Sequence, residues 1–339
     1  TIPSMLHDRL NRPIRDLRIS VTDRCNFRCG YCMPRDKYGR DHQFLKRKEL
    51  LTFEEIERIA RVFVDLGVVK IRLTGGEPLV RNDLEQLIQR LSKIEGLQDL
   101  SLTTNASLLS KQRAAALREA GIQRVNISLD ALDPRTFGML NGVGYPVEDV
   151  LKGLENAGEA GFEQIKVNMV VQKGKNEASI LPMLEYFTGK GVVLRFIEFM
   201  DVGNTNDWQH GDVFTSSQIK SLIESKYRIQ ALDANYRGEV AKRWQLLDYP
   251  LEFGIISSVT EPFCGECSRA RLSAIGEVYT CLFAHQGYDL RGLLRDSEPR
   301  LSLHAAVEEL WRGRADRYSE LRSELGPGHQ KVEMSYIGG

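Results

Sequence analysis

A chain of 339 residues exceeds the size at which one hydrophobic core usually keeps growing, so a large domain with a smaller one appended is expected. With 42% hydrophobic and 27% charged residues, and Lys plus Arg and Asp plus Glu both at 46, the composition is that of a globular protein; it argues against a fibrous or disordered chain, a nucleic-acid footprint and attraction to an anionic membrane. No stretch approaches the ~20 apolar residues that span a bilayer, and Thr1 to Asn11 does not read as a secretion signal, so a cytoplasmic protein is expected.

The first strand-like run is Asp16 to Val21. A helix follows, with Thr52 and Glu55 as a capping box ahead of Ile56, Ile59, Ala60 and Phe63, and Gly67 at its end. Val69 to Thr74 reads as a strand, and Asn82 with Glu85 opens a helix to about Glu95. Next come a strand from Asp99 to Thr104, a helix opened by Ser110 and ended by Gly121, a strand from Arg124 to Asp130, and a helix from Val147 to Ala160 closed by Gly161. Gln164 to Val171 reads as a strand, Asn176 opens a helix ended by Gly191, and Val192 to Met200 is the last strand of the series.

Six strands alternating with helices predict an α/β fold with right-handed crossovers, its parallel sheet open or curled into a barrel. Beyond about Gly203 the character changes: Gly203 to Gly211 reads as a connection, Ser216 to Lys226 as one more helix, and Ala241 to Ser273 alternates like antiparallel strands. The boundary falls near Tyr227, giving domains of residues 7–227 and 228–339.

Parallel strands covered by helices normally read as continuous apolar runs. These alternate instead. One face carries Arg18, Ser20 and Thr22 on the first strand, Lys70, Arg72 and Thr74 on the second, and Ser101, Thr103 and Asn105 on the third. It continues through Asn126, Ser128 and Asp130, then Lys166 and Asn168, then Arg195, while the other face is apolar. The apolar face must pack on the helices, so the polar face lines a lumen, and six units make a partial barrel. Buried cations each cost several kcal/mol when unpaired, so a large anionic ligand is expected inside.

The six cysteines fall in two trios, Cys25, Cys29, Cys32 and Cys264, Cys267, Cys281. Trios in a large chain without a secretion signal argue for metal rather than disulfides. CxxxCxxC lies at the C-terminal end of the first strand, where barrel active sites sit, and three thiolates can hold three irons of a 4Fe-4S cluster while leaving the fourth open. Zinc completed by His42 is the alternative there. The second strand ends in Gly75, Gly76, Glu77 and Pro78, where glycines let a ligand approach the backbone and a carboxylate can accept from an ammonium. In the second trio, CxxCx13C, His285 could complete a zinc site. Against that reading, Arg269 and Arg271 follow the cysteines two apart, on one side of a predicted strand, suited to phosphate.

CxxxCxxC with Tyr31 before the last cysteine, followed by GGEP, resembles the radical S-adenosylmethionine superfamily. The whole chain, from Arg12-Pro13-Ile14-Arg15-Asp16-Leu17-Arg18 through Arg195-Phe196-Ile197-Glu198-Phe199-Met200 to Tyr336-Ile337-Gly338-Gly339, resembles the GTP 3′,8-cyclase family of that superfamily, also named molybdenum cofactor biosynthesis protein A. The resemblance implies a partial (βα)6 TIM-type barrel with a C-terminal α+β extension closing it. It implies two 4Fe-4S clusters on the six cysteines and S-adenosyl-L-methionine as cosubstrate, held by Tyr31, Gly75, Gly76, Glu77, Ser128 and Met200. It implies GTP contacts at Arg18, Lys70, Arg72, Thr103, Lys166, Arg195, Arg269, Ala270 and Arg271, and catalytic roles for Arg269, Arg271, Gly338 and Gly339.

The implied reaction is reductive cleavage of S-adenosylmethionine, hydrogen abstraction from C3′ of GTP and closure onto C8. The implied partners are GTP, an external one-electron reductant and a downstream cyclic pyranopterin monophosphate synthase; a homodimer is a possible assembly. Ala106 stands where the family is expected to have glycine, harmless if φ is negative there. Two other readings remain open: a radical S-adenosylmethionine enzyme that modifies a peptide and carries an auxiliary cluster, and a zinc-stabilised binding protein that is no enzyme.

Overall fold

The computed structural model describes residues 5–297, 301–325 and 329–339. Residues 1–4, 298–300 and 326–328 lie outside the described residues, and with them the start of the Thr1 to Asn11 stretch.

The first half folds as β1 (Asp16–Ser20), α1 (Phe53–Asp65), β2 (Lys70–Thr74), α2 (Leu84–Leu91), β3 (Asp99–Thr104), α3 (Lys111–Ala120), β4 (Arg124–Ser128), α4 (Pro134–Leu140), α5 (Val147–Glu159), β5 (Gln164–Val171), α6 (Ile180–Phe187) and β6 (Val192–Glu198). Thr52 caps α1 as the sequence predicts, its hydroxyl accepting from the Glu55 amide while Glu55 accepts from the Thr52 amide. Ser110 caps α3 in the same way, accepting from the Arg113 amide, and Gly121 ends it at φ +125.

Two expected helices differ in detail. At α2 the cap position is Asp83, at φ +57 and with no side-chain cap bond, and the helix stops at Leu91; Glu85 pairs with Arg113 rather than closing a box with Asn82. Asn176 does open the helical segment, as the N-cap of a 3₁₀ turn, Glu177–Ser179, that runs into α6 at Ile180, but its side-chain amide donates to the carbonyls of Asp130 and Val170, and the helix ends at Phe187, short of Gly191.

The second half adds α7 (Ser216–Glu224), β7 (Ile229–Leu232), β8 (Lys242–Leu246), β9 (Glu252–Ile256), β10 (Arg269–Leu272), β11 (Glu277–Tyr279), β12 (Tyr288–Asp289), α8 (Leu290–Arg295), α9 (Leu303–Gly313), α10 (Tyr318–Leu325) and α11 (Met334–Ile337). The described strands form one sheet of twelve, in the order β12-β11-β10-β1-β2-β3-β4-β5-β6-β9-β8-β7. Here the sequence reading needs correction. The stretch Ala241 to Ser273 is not simply antiparallel: β9 joins the edge at β6 and β10 joins the edge at β1, both parallel, and only the flanking hairpins run antiparallel. The late strands thus extend both edges of the sheet.

The apolar face of each strand packs under the helices as expected. Leu17, Ile19, Val21, Ile71, Leu73, Leu102, Val125, Ile127, Val167 and Met169 are all fully buried, together with Ile56, Ile59 and Phe63 of α1 and Leu84, Leu87 and Ile88 of α2. The opposite face, with its cations and amides, is left for the lumen.

Candidate functional site

Strand register sets the cations abreast. Arg18 on β1 lies opposite Arg72 on β2 and Arg271 on β10, and one step toward the N-terminal end Asp16 lies between Lys70 and Arg269. Neighbouring parallel strands are about 4.8 Å apart, so these guanidiniums share one surface. Burial first, then the charges of Arg271, Arg72 and Arg269, hold the Arg18 pKa well below its ordinary value. Burial and then Arg269 bring Arg271 down to about 9, and burial and then Arg72 do the same to Arg195. Lys166 falls to about 7, through burial followed by Arg195, Arg124 and Arg72.

Arg195 is oriented by its neighbours, donating from Nε to Asn168 Oδ1 at 2.8 Å and from Nη2 to Asn126 Oδ1 at 2.7 Å. Arg72 Nε is buried without a hydrogen-bond partner. A lumen of crowded cations with a free buried donor is matched by a polyanion, whose oxygens would satisfy both deficits.

A cavity lies against these residues, lined by Arg18, Lys70, Arg72, Lys166 and Arg195. Its remaining lining includes Asp16, Arg124, Tyr236 and Glu239. These four were not in the sequence-derived set. Arg124 has the same strand parity as Asn126, so carrying the alternation back one step would have found it. Tyr236, whose ring sits 3.5 Å from the Lys70 ammonium, comes from a loop with no periodic signal.

At the C-terminal end of β1 the first trio occupies a loop pinned from both sides. The Gly76 amide donates to the Thr22 carbonyl at 2.8 Å and the Glu77 amide to the Arg24 carbonyl at 2.8 Å. A Cβ on Gly75 would lie 2.5 Å from the Thr22 oxygen, and one on Gly76 2.2 Å from the Arg24 oxygen, so the two glycines are required by the closeness of the cysteine loop. On the other side the Arg28 amide donates to the Asn141 carbonyl, and Phe27 packs on Tyr145.

Tyr31 donates its hydroxyl to Asp130 at 2.8 Å, and burial raises the Asp130 carboxyl to about 6. Thr103 and Ser128 lie half-buried on the same polar face. The Glu77 carboxylate is turned to its own chain: it accepts from Thr104 Oγ1 at 2.7 Å, the Asn105 amide at 2.7 Å and the Leu79 amide at 3.0 Å. It thereby ties the β2 and β3 ends together. The Met200 carbonyl likewise accepts from Asn206 Nδ2 at 3.0 Å.

The chemistry of both trios fits an iron–sulfur group. Burial, followed by neighbouring negative charge from Glu77 and Cys25 respectively, pushes the Cys25 and Cys32 thiols up to about 12, and burial and then Asp130 push Cys29 up as well. Thiols crowded this way become ligands when a cationic group supplies the missing charge. In the second trio burial also raises Cys281, to about 12, but at Cys267 the positive charges of Arg269 and Arg314 outweigh burial and hold the thiol at about 6. Of the histidines that a zinc reading would use, His42 rests between the rings of Tyr38 and Phe44, and His285 faces His329.

Arg269 donates to Cys267 Sγ at 3.5 Å, and Arg271 Nη1 donates to the Gly338 carbonyl. That contact brings the chain end inside: Ile337 is fully buried, and Gly338, at φ +77, lies against Thr74. Gly339 follows it, against Met334. Ala270 departs from the expected set. It pairs with Leu17 on the face opposite its two arginines, and its methyl is fully buried in the hydrophobic core, so its side chain does not reach the lumen. Ala106 also differs from expectation: its φ is +59, the left-handed region that favours glycine.

Comparisons with known proteins agree along the whole chain. Residues 19–187 match the family model of the radical SAM superfamily, and residues 192–320 match that described as Molybdenum Cofactor Synthesis C. The chain is 51% identical to the GTP 3′,8-cyclase of Xanthomonas axonopodis pv. citri over 98% of this chain and 99% of that one. It is 48% identical to that of Acidothermus cellulolyticus, covering 98% and 99%. Streptococcus suis SuiB bound to S-adenosylmethionine shares the fold, with a TM-score of 0.63 at 16% identity over 96% of this chain and 78% of that one. Half-identity maintained from end to end, on a barrel that sets two cysteine trios around a lumen of cations, establishes that the chain belongs to the GTP 3′,8-cyclase family of radical S-adenosylmethionine enzymes.

Proposed function

We propose that this chain catalyses the reaction for which its family is named, the first step of molybdopterin biosynthesis: conversion of GTP to its 3′,8-cyclised dihydro triphosphate with consumption of S-adenosylmethionine. The observation that carries the reading is the polarity of the lumen. One trio of thiols follows the C-terminal end of β1, the other brackets the start of β10, and the cations lie between. When bound, the two 4Fe-4S clusters supply the electron that cleaves S-adenosylmethionine to methionine and the hydrogen-abstracting 5′-deoxyadenosyl radical, and an open iron for the guanine.

The chain's own residues bind, orient and shield. Arg18, Lys70, Arg72, Lys166 and Arg195 take the triphosphate, their mutual repulsion relieved by its charge. Thr103 lies on the same face, and Arg269 and Arg271 connect that face to the second trio and to the chain end. The backbone of Gly75 and Gly76 faces the methionyl end of the cosubstrate, while Tyr31, Ser128 and the segment at Met200 flank its remainder. The tail at Gly338 and Gly339 closes the lumen against water, which a radical intermediate requires.

An external one-electron reductant, delivery of product to cyclic pyranopterin monophosphate synthase, a cytoplasmic setting and a homodimeric assembly complete the proposal. No described helix is long and apolar enough to cross a membrane. The test is anaerobic reconstitution with GTP, S-adenosylmethionine and dithionite, with mass analysis for 5′-deoxyadenosine and the cyclised nucleotide. Absence of the cyclised product from protein carrying about eight irons defeats the assignment.

A further inference from the structure

We propose that Asp8, Arg12 and Arg314 form a positioning network for the second cluster, and that Arg314 raises that cluster's reduction potential through an N–H···S contact with Cys267. The proposal rests on the reading that the second trio holds a cluster. Of the three only Arg314 has entered the site described above, through its charge on Cys267, and all are buried, Arg12 to 1% and Arg314 to 4% exposure.

The two guanidiniums share one carboxylate. Arg12 Nε meets Asp8 Oδ2 at 2.6 Å and Arg314 Nη1 meets the same oxygen at 3.2 Å. Their remaining donors reach the segments that carry the cysteines. Arg12 Nη1 donates to the Cys264 carbonyl at 2.8 Å, joining it to the Asp316 carbonyl, also at 2.8 Å. Arg314 donates from Nη1 to the Cys267 carbonyl at 2.7 Å, from Nη2 to Cys267 Sγ at 3.2 Å, and from Nε to the carbonyl of Thr280, the residue before Cys281, at 3.1 Å. Every cysteine of the trio is therefore fixed, directly or through its neighbour.

A planar fork with five donors can make these bonds at once; an ammonium on a flexible stem cannot. Arg314 Nε also pairs with the Asp316 carboxylate at 3.4 Å, so Asp8 and Asp316 balance the two guanidiniums, while Arg12 Nη2 is buried with no hydrogen-bond partner. The contact that reaches the cluster is the Arg314 guanidinium on the Cys267 sulfur. Hydrogen bonds to ligating sulfur and nearby positive charge both favour the reduced cluster, which moves the potential upward.

The test compares wild type, Arg314→Gln and Arg314→Lys as full-length protein reconstituted anaerobically, with iron analysis and redox titration followed by electron paramagnetic resonance. We expect about eight irons in wild type. In Arg314→Gln the second cluster's midpoint potential moves downward while the first cluster's stays fixed, and Arg314→Lys recovers part of the shift. An unmoved second potential in iron-replete Arg314→Gln, or an equal shift in both clusters, overturns the proposal. Should Arg314→Gln lose iron, selective loss of the second cluster supports positioning and loss from both overturns it; the titration of Arg314→Lys then decides the potential. A wild type with about four irons removes the underlying two-cluster reading rather than the network.

Discussion

Replacing Gly338 with alanine should unseat the chain end. Its φ of +77 costs an L side chain about 1 kcal/mol. The new methyl would lie 2.2 Å from Thr74 Cγ2, and Thr74 is β-branched and 3% exposed, so it cannot turn aside. Overpacking of that kind adds about 1–3 kcal/mol. Holding the tail in place are the charge-assisted bond from Arg271 to the Gly338 carbonyl, worth about 1.5–3 kcal/mol, and the buried Ile337, worth a similar amount.

A penalty of about 3 kcal/mol lowers the seated-to-open ratio roughly 100-fold, enough to populate the open form. Hydrogen exchange of the amides in α11 should rise accordingly, and cyclised product should fall relative to 5′-deoxyadenosine as cleavage loses its coupling to GTP. Gly339→Ala is the internal control. A Cβ there meets the flexible Met334 side chain, with its sulfur at 3.2 Å, and should cost little. Unchanged exchange and unchanged coupling in Gly338→Ala would refute the reasoning.

Serine at Cys25, Cys29 and Cys32 should halve the iron to about four per chain and abolish 5′-deoxyadenosine formation, whereas serine at Cys264, Cys267 and Cys281 should also halve the iron but spare cleavage of S-adenosylmethionine in the presence of dithionite. Lys166, with its pKa lowered to about 7, is largely neutral above that pH, and a bound triphosphate restores its charge. Calorimetry in buffers of different ionisation enthalpy should therefore find proton uptake on GTP binding near pH 8, little from this residue near pH 6, and none assignable to it in Lys166→Met. Tyr31→Phe removes only the 2.8 Å bond to Asp130 and should weaken S-adenosylmethionine binding about fivefold without changing iron content; unaltered affinity would deny Tyr31 its orienting role. Ala106→Gly relieves a φ of +59 and should stabilise the fold by about 1 kcal/mol, raising Tm by about 2 °C in calorimetry.

The barrel and its polar interior were legible because two independent periods coincide in this sequence. Helix caps such as Thr52 and Ser110 set the element order, and the alternation Arg18-Ser20, Lys70-Arg72, Lys166-Asn168 gave the interior its chemistry. What stayed hidden depended on pairing between distant residues. Nothing near Arg269 says that its strand lies beside β1 rather than against its own neighbour; that choice is made by the register of Arg271 with Arg18. Arg314 lies on no periodic run and follows α9, so its contact with Cys267 could be seen only once the chain was folded. Asn176 and Glu77 hide a second task for one reason: a polar side chain placed like a cap or a ligand group also ties two loops together, through partners distant in sequence.

The late arrival of β9 and β10 at the sheet's two edges governs how this protein can be made. Asp16 meets Ser268 across 252 residues of sequence, so during synthesis β1 and β6 emerge with bare ladders open to any extended chain. A nascent or truncated molecule lacking the last third keeps both borders unsealed and is prone to aggregate. The same closure completes the pocket beside the second trio, so sealing the sheet and forming that metal site are one folding event.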